Sequence, residues 1–264
     1  MSANDLVLSR VEGGVLRLTL NRPDIRNALN DDLMRRVIGE LDRHREDPAV
    51  RVVLFTGAGD SFCAGADLQW MRETMDLTYE ETLENSDLLA ELFYGIYEYP
   101  KPTIVLVNGP AVGGGVGFVA TCDVVVTAAE AFYRLSEVRL GLIPAVISPF
   151  VLAKIGEGRC RELMLTGRKV TAEESLAIGL SSQVCPRAGL AAAGERYARW
   201  FLAAGPEALA TCKEILGLAA RAEPAALRRR TVEVIARLRT GPEGQEGMAA
   251  FLEKRAPSWQ EEGR

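Results

Sequence analysis

Histidine is scarce in this sequence, and its scarcity excludes several kinds of active site. His44 is the only histidine among 264 residues, so one chain cannot supply a metal site that needs several histidine ligands. A mechanism built on a nucleophile and a histidine would have to use His44, and no G-x-S-x-G motif supports one. Because His44 lies in the polar segment LDRHREDP, we expect it to be a solvated surface residue. Proton transfer then depends on carboxylates, lysine, tyrosine or cysteine.

Paired cysteines and an apolar leader are also missing. The five cysteines are widely spaced, no two form a C-x-x-C pair, and their odd number fits poorly with a disulfide framework. The first residues, MSANDLVLSR, have no basic stretch followed by an apolar one, so we expect no signal peptide. Both observations favour reduced thiols and a cytoplasmic protein. The cysteines are Cys63, Cys122, Cys160, Cys185 and Cys212.

Neither sign of charge is in large excess. The chain has 31 Lys and Arg against 36 Asp and Glu, which gives a net charge of −5 and a pI near 5.2. This acidic balance argues against nucleic acid or an anionic membrane as the main partner. Hydrophobic residues make up 48% of the chain, which is enough for one large folded domain, or for one domain with an appendage.

Residues 102–122 form an uncharged stretch that is long enough to be tested as a membrane span. The stretch contains the β-branched run TIVLV, is interrupted by NGP, and continues through GGG. This order favours a buried strand, a loop and a helix over a spanning helix.

Hydrophobic periodicity and turn residues predict an alternation of strands and helices. Asn30 and Asp67 are expected to cap helices, the first of them over residues 31–46, and residues 79–98 form another. Residues 6–9 and 15–20 form a hairpin, buried strands follow at 50–57 and 103–107, and two further strands at 123–128 and 131–136. After Pro149 the pattern is mainly helical, with breaks at Gly205-Pro206 and Gly241-Pro242. We therefore predict an α/β core with a helical C-terminal part.

Two glycine-rich turns are the most informative segments. FTGAGDSFCAGADL and VNGPAVGGGVGF each run from a strand through a loop to the start of a helix. Such turns expose unpaired backbone N–H groups, and two of them facing one point would bind a developing negative charge. Packing of strand against helix is the alternative reason for the glycines. The spacing matches neither a dinucleotide-binding turn nor a phosphate loop.

Six segments, in order, resemble the crotonase (enoyl-CoA hydratase/isomerase) superfamily. The resemblance implies a spiral core of ββα turns and a helical C-terminal region that drives formation of a trimer, often a dimer of trimers. It also implies an acyl-CoA substrate and no separate cofactor, because coenzyme A is part of the substrate. On this basis residues 1–200 form the core with the CoA and catalytic site, and residues 201–264 form the trimerisation region. The segments are residues 20–30, 61–68, 101–118, 132–144, 165–180 and 250–257.

The resemblance also assigns candidate site residues. The N–H groups of Ala66 and Gly114 match the pair that holds the thioester oxygen of the substrate. Phe251 and Lys254 match residues that close over CoA, and a neighbouring subunit is one source for them. The surface that holds CoA corresponds to Arg26, Ala28, Ala64, Gly65, Asp67 and Leu68.

Glu137 matches the glutamate that exchanges a proton with the substrate carbon. Its neighbours Leu135, Val138 and Leu142 are apolar, so we expect the pKa of its carboxyl group to be raised. Composition alone would favour a surface glutamate, and the resemblance to the family reverses that in favour of a catalytic one.

The sequence departs from the family pattern at Gly117, where many hydratases have a second glutamate. Glycine cannot activate water, so a two-glutamate mechanism does not carry over. Residues 135–151 and 243–260 resemble bacterial hydratases of 3-methylglutaconyl-CoA and isohexenylglutaconyl-CoA. We therefore expect hydration of a branched glutaconyl thioester, whose second carboxylate would orient water where Gly117 leaves room. Arg72, Arg134 and Arg139 are candidates for binding that carboxylate, or are solvated surface charges.

Two alternatives remain open. A Δ3,Δ2-enoyl-CoA isomerase would need Glu137 alone. A catalytically inactive or RNA-associated relative would need no acid at all, but the acidic pI and the absence of a basic run disfavour binding to RNA.

Overall fold

A six-stranded sheet forms the centre of the structure, a computed structural model that describes residues 5–219 and 223–261. In chain order the strands are β1 (Val7–Glu12), β2 (Val15–Leu20), β3 (Val52–Gly57), β4 (Thr103–Val107), β5 (Ala111–Val112), β6 (Val124–Ala128), β7 (Phe132–Arg134), β8 (Lys169–Thr171) and β9 (Gln183–Cys185). The large sheet has the order β1-β2-β3-β4-β6-β9. The first two strands form the predicted antiparallel hairpin, and the others pair in parallel.

A smaller sheet lies beside the large one and has the order β5-β7-β8. β5 pairs in parallel with β7, and β7 pairs antiparallel with β8. The pairing of β5 with β7 matters for the site, because one candidate turn follows β5 and Glu137 follows β7.

Helices surround the sheets and form the C-terminal part of the chain. They are α1 (Asp31–Arg43), α2 (Leu68–Glu73), α3 (Tyr79–Tyr97), α4 (Gly114–Thr121), α5 (Ser148–Thr166), α6 (Ala172–Ala177), α7 (Leu190–Leu202), α8 (Pro206–Ala219), α9 (Pro224–Thr240), α10 (Pro242–Glu253) and α11 (Ser258–Glu261). The predicted caps are present: Asn30 accepts from the N–H of Leu33 at 3.0 Å, and Asp67 accepts from the N–H of Gln69 at 2.8 Å.

The uncharged stretch 102–122 forms the predicted strand and helix, and the segment predicted as a loop contains a second short strand, β5. β4 is buried at all five positions, which is typical of a parallel strand covered on both faces. α4 is buried at every residue after Gly114. In the part of the chain that the structure describes, no helix is both long enough and apolar enough to cross a membrane.

The C-terminal part is helical, and its breaks lie where the sequence placed them. α8 begins at Pro206 and α10 at Pro242, while α9 begins at Pro224, a break that we did not predict. α7 packs on β3, β4 and β6, whereas α8, α9 and α10 pack on one another. The division of the chain after residue 200 stays a prediction.

His44 is not the solvated surface residue that its polar segment indicated. Its side chain is only 12% exposed, and Nδ1 lies 3.0 Å from Oδ2 of Asp47. Lys101 folds over the same turn and donates to the carbonyl oxygens of His44 and Asp47, at 2.6 and 2.7 Å. A contact with a residue so distant in sequence could not be read from the segment itself.

Asn27 connects two loops that reach the candidate site. Its side chain is fully buried, and its Oδ1 accepts from the N–H of Arg22 at 2.8 Å. Its Nδ2 donates to the carbonyl oxygens of Ala58 and Ser61, both at 2.9 Å. The backbone has φ = 55° here, a conformation that asparagine tolerates better than most residues. One side chain therefore fixes the segment before α1 to the loop after β3.

We expect Asn27→Ala to lower the free energy of unfolding by about 2–4 kcal/mol, because three hydrogen bonds are lost and buried partners remain unsatisfied. Urea denaturation followed by circular dichroism would measure the loss. Asn21→Ala is the matched control, since Nδ2 of Asn21 donates to the carbonyl of Asp5 at 2.8 Å near the start of the chain. Equal losses in the two variants would contradict a special role for Asn27.

Candidate active site

The two glycine-rich turns lie at the same edge of the large sheet. One follows β3 and the other follows β4, and these strands are parallel neighbours. The carboxyl ends of parallel strands meet at one edge, which is where open α/β sheets bind ligands. The topology therefore brings together two segments that are about fifty residues apart in sequence.

Backbone hydrogen bonds fix the two turns side by side. The N–H of Cys63 donates to the carbonyl of Pro110 at 3.2 Å, and the N–H of Val112 donates to the carbonyl of Cys63 at 2.9 Å. A Cβ placed on Gly65 would lie 3.0 Å from the carbonyl oxygen of Val112 and 3.9 Å from Cα of Gly113. Both glycines have positive φ, 93° and 51°, so a side chain at either one would be strained as well as crowded.

The segment before α1 is the third part of this arrangement. The N–H of Ala64 donates to the carbonyl of Arg26 at 2.9 Å, and the N–H of Leu29 donates to the carbonyl of Gly65 at 2.7 Å. A Cβ on Gly114 would lie 2.6 Å from Cδ1 of Leu29. The three segments therefore hold one another through backbone contacts.

The N–H groups of Ala66 and Gly114 point out of this arrangement without a protein acceptor. Within residues 5–219 and 223–261, neither group donates a hydrogen bond. Gly114 is the first residue of α4 and Ala66 precedes the cap of α2 by one residue, so both groups lie at the positive end of a helix dipole. Two such donors can bind an oxygen that gains negative charge.

Glu137 lies beside the same glycines. It begins a 3₁₀ turn, Glu137–Leu140, directly after β7 and Ser136. A Cβ on Gly113 would lie 3.1 Å from Oε1 of Glu137. The Gly113 N–H donates to the carbonyl of Arg134 at 2.9 Å, which ties the β7 segment to the turn. The structure thus brings Glu137 next to the N-terminus of α4, where the resemblance to the family led us to expect it.

The carboxyl group of Glu137 is poorly solvated. Its Oε2 is buried and has no hydrogen-bond partner among the described residues. Burial raises the pKa of Glu137 above its usual 4.5, and a hydrogen bond from its own backbone only partly opposes the effect. The direction of this shift agrees with the expectation from the sequence, and a carboxyl group with a raised pKa beside two free N–H donors can exchange a proton with carbon.

Cys63 lies close to the turns but does not offer a second proton-transfer group. Desolvation raises the pKa of its buried thiol to about 12, although a hydrogen bond from Gly65 opposes the shift. A thiol of that pKa stays neutral and unreactive at neutral pH. Glu137 is therefore the titratable group near the turns whose pKa is shifted toward neutrality.

The volume beside Gly117 is already filled, so our expectation that this glycine leaves room is wrong. A Cβ at Gly117 would lie 2.4 Å from Cζ of Phe93 and 2.8 Å from Cγ2 of Ile147. Phe93, on α3, is fully buried and packs edge-to-face on Phe118 at 5.6 Å between ring centroids. An aromatic ring thus fills the volume next to the position of the second glutamate.

The residues predicted to hold CoA differ in their exposure. Leu68 is 72% exposed, Arg26 is exposed and Ala64 is half-buried. Ala28 and Gly65 are buried. Their roles in binding CoA stay predictions.

Asp67 caps α2 as predicted, and it also makes an ion pair that the sequence did not reveal. Its Oδ2 accepts from Nη2 of Arg22 at 2.7 Å, and its Oδ1 caps α2. Burial alone would raise the pKa of Asp67, but the N–H of Gln69 and the guanidinium of Arg22 outweigh it, and the net shift is downward. The charged carboxylate thus holds the loop that carries Ala66.

Phe251 and Lys254 lie on the C-terminal helices. Phe251 is 83% exposed, and Lys254 is exposed at the C-terminal cap of α10 with φ = 54°. The described residues of one chain show no hydrogen bond, ion pair or ring contact between either residue and the segment around Glu137. Their closure over CoA from a neighbouring subunit stays a prediction.

Comparison with known proteins identifies a family. The sequence profile described as Enoyl-CoA hydratase/isomerase matches residues 10–262. A Thermus thermophilus protein provisionally named enoyl-CoA hydratase is 36% identical over 252 residues, which are 93% of this chain and 97% of the relative. The 2,3-dehydroadipyl-CoA hydratase of Escherichia coli is 33% identical over 264 residues, which are 97% of this chain and 98% of the relative.

Solved structures share the fold as well. A crystal structure of an enoyl-CoA hydratase from Shewanella pealeana matches with a TM-score of 0.93 at 35% identity, and covers 97% of this chain and 96% of that one. The match confirms the crotonase-like α/β core followed by a helical C-terminal region. The chain belongs to the enoyl-CoA hydratase/isomerase family and is an enzyme of the enoyl-CoA hydratase type.

Proposed function

We propose that this enzyme adds water across the 2,3 double bond of a branched glutaconyl-CoA thioester, of the 3-methylglutaconyl-CoA type. The observation that supports this reaction is the position of Glu137 beside Gly113, one residue before the free N–H of Gly114. The thioester oxygen binds between the N–H groups of Ala66 and Gly114, which stabilise the enolate that forms during addition.

One carboxyl group can complete the proton transfers of this reaction. The oxygen of water bonds to C3 of the substrate, and the electrons of the double bond move to the thioester oxygen as an enolate. The protonated Glu137 then gives its proton to C2, and the added water returns a proton to Glu137. The product gains one water, and the enzyme ends in the protonation state in which it began.

Two observations support a substrate that carries a second carboxylate. Residues 135–151 and 243–260 resemble hydratases of glutaconyl thioesters. The Escherichia coli relative acts, by its name, on 2,3-dehydroadipyl-CoA, an acyl chain that also ends in a carboxylate. Because Phe93 fills the space at Gly117, the substrate carboxylate must orient water from elsewhere.

Two arginines beside Glu137 are candidates for the substrate carboxylate. Nε of Arg134 donates to the carbonyl of Gly167 at 2.9 Å, and Nη2 of Arg139 donates to the carbonyl of Thr166 at 3.3 Å. Each guanidinium uses one donor on the end of α5 and has others left for an anion. Arg72, on the exposed face of α2, is a third candidate.

We also infer that the enzyme is a cytoplasmic homotrimer or dimer of trimers that binds no nucleic acid. Large apolar side chains are exposed on the C-terminal helices, and such surfaces are commonly covered by another subunit. These side chains are Leu216, Val232, Ile235, Phe251 and Leu252.

Isomerisation is the second candidate reaction, and the closed volume at Gly117 favours it. In a Δ3,Δ2-enoyl-CoA isomerase, the carboxylate of Glu137 would take a proton from C2 and return it to C4. The intermediate is a dienolate whose oxygen would bind to the same two N–H groups. That reaction needs one carboxyl group and no water, so it is compatible with the apolar side chains of Phe93 and Ile147 beside Gly117.

We expect Glu137→Gln to lower turnover by about 10²–10⁴-fold, because the amide cannot exchange the proton. Mass spectrometry on 3-methylglutaconyl-CoA, crotonyl-CoA and a 3-enoyl-CoA would separate the reactions. Gain of one water, fastest on the glutaconyl thioester, is expected for the hydratase. Glu173→Gln, at an exposed glutamate of α6, is the control. An isobaric shift of the 3-enoyl double bond without gain of water would favour the isomerase.

The raised pKa of Glu137 predicts a pH-dependent stability. Above the ordinary value of 4.5 the unfolded carboxyl group loses its proton while the folded one keeps it, so wild-type stability falls as pH rises through the folded pKa. The amide of Glu137→Gln does not titrate, so this variant does not lose stability for that reason. We expect the variant to be more stable than wild type at neutral pH, with the difference vanishing as pH falls to 4.5. Urea denaturation across this range would measure it, and a difference independent of pH would contradict the burial of the charge.

The contact between Gly117 and Phe93 predicts a thermodynamic coupling. Gly117→Ala should destabilise the protein by about 1–3 kcal/mol, because the new Cβ overlaps the ring. Phe93→Leu should recover part of that loss, with a coupling of about 0.5–3 kcal/mol in a double-mutant cycle. Gly39→Ala, on α1 where nothing lies within 4 Å of a Cβ, is the control. Additive losses would show that the two sites do not compete for space.

A further inference from the structure

The carboxyl end of α4 is buried, so its carbonyl groups need partners inside the protein. Residues 115–121 are all buried, and the last carbonyls of a helix have no donor within it. Thr121 Oγ1 donates to the carbonyls of Gly117 and Phe118, at 2.8 and 3.3 Å. The carbonyls at residues 119, 120 and 122 need donors from another element.

Lys154 of α5 supplies these donors. Its ammonium group donates to the carbonyl oxygen of Val119 at 2.8 Å, to that of Ala120 at 3.4 Å, and to that of Cys122. Part of the side chain is exposed, but the ammonium group itself is shielded from water. A buried charge is tolerated when its donors are used, and here three carbonyl oxygens receive them.

α4 connects this lysine to the site. The helix has eight residues, so its ends are about 12 Å apart. Its N-terminus carries the free N–H of Gly114, and its C-terminus faces Lys154. Since α4 has no charged side chain of its own, Lys154 is the cation that meets the negative end of its dipole.

We propose that Lys154 is a positioning residue of the reaction, which fixes α4 from its C-terminal end and thereby holds the Gly114 N–H in place for the enolate oxygen. The inference rests on the proposed role of Gly114. It extends that role to a residue that lies one helix length from the substrate and acts through the backbone.

The surroundings of Lys154 make its charge sensitive to pH. Removal from water lowers the pKa of its ammonium group to about 8, although Cys122 and Asp123 oppose the shift and Lys213 adds to it. These are the titratable groups that face it, at the end of α4, in the residue that follows it, and on α8. The neutral amine that forms above this pH has two N–H donors for three carbonyls.

The test compares Lys154→Met and Lys154→Arg with wild type, using the full-length enzyme. Lys213→Met is the control, because Lys213 donates to Asp123 Oδ2 at 2.6 Å and to the carbonyl of Lys101 at 3.2 Å without touching a carbonyl of α4. We expect Lys154→Met to lower kcat by roughly 10–100-fold with little change in KM. Hydrogen exchange of amides 114–121 should become faster in this variant and not in the control.

Arginine stays charged at all working pH values, so Lys154→Arg should restore most of the activity. We expect the kcat of wild type, relative to that of Lys154→Arg at the same pH, to decline as pH rises through about 8. Taking this ratio removes the effect of Glu137, which both proteins share. If Lys154→Met does not fold, this pH profile decides the question. The proposal is overturned if Lys154→Met matches Lys213→Met in kcat and exchange, or if the arginine variant declines with pH as wild type does. Absence of any wild-type turnover would instead overturn the proposed function, and the exchange measurement would still test Lys154.

Discussion

The site depends on one contact between backbones, that of Gly65 with the turn of Val112 and Gly113. No side chain fits between them, since a Cβ on Gly65 would lie 3.0 Å from the carbonyl oxygen of Val112. The two turns touch at the residues that precede Ala66 and Gly114, and the N–H groups of these two residues are free of protein acceptors over the described residues. The parallel pairing of β3 with β4 brings the turns to one edge, and the glycines allow the last approach.

The same contact explains why Glu137 is both buried and close to the donors. β7 pairs with β5 in register, Ala111 with Tyr133 and Val112 with the residue after it, so the chain after β7 must pass over Gly113. The carboxyl group of Glu137 is shielded from water at this position, and its Oε2 has no hydrogen-bond partner among the described residues. An unsatisfied buried carboxylate is costly to folding. Its presence beside the free N–H groups is typical of a group kept for chemistry rather than for stability.

Local signals predicted the elements well, because caps and turn residues act within a few positions. Asn30 and Asp67 cap the helices that the sequence assigned to them, and β4 spans the predicted residues 103–107. The breaks at Pro206 and Pro242 were likewise visible from proline and glycine alone. A resemblance over nearly the whole chain, rather than any single motif, connected Glu137 with the two turns.

Contacts between segments that are distant in the chain could not be predicted from the sequence. Nothing near Gly117 in the sequence indicates that Phe93, twenty-four residues earlier in the chain, fills the space beside it. We had expected an empty space there because glycine has no side chain. Asn27 and His44 were missed for the same reason, since their partners lie on loops more than fifteen residues away or on Lys101. The contacts proposed for Phe251 and Lys254 are untested for a different reason, because they involve another subunit.

The packing at Gly117 leaves no place for a second carboxylate on α4. A Cβ at Gly117 would lie 2.4 Å from Cζ of Phe93 and 2.8 Å from Cγ2 of Ile147, so a glutamate there would have to displace both side chains. Apolar side chains lower the local dielectric constant, and a low dielectric constant strengthens the interaction of an anion with N–H donors. The packing that removes a second base therefore favours the binding of negative charge at the N–H of Gly114, three residues earlier on the same helix.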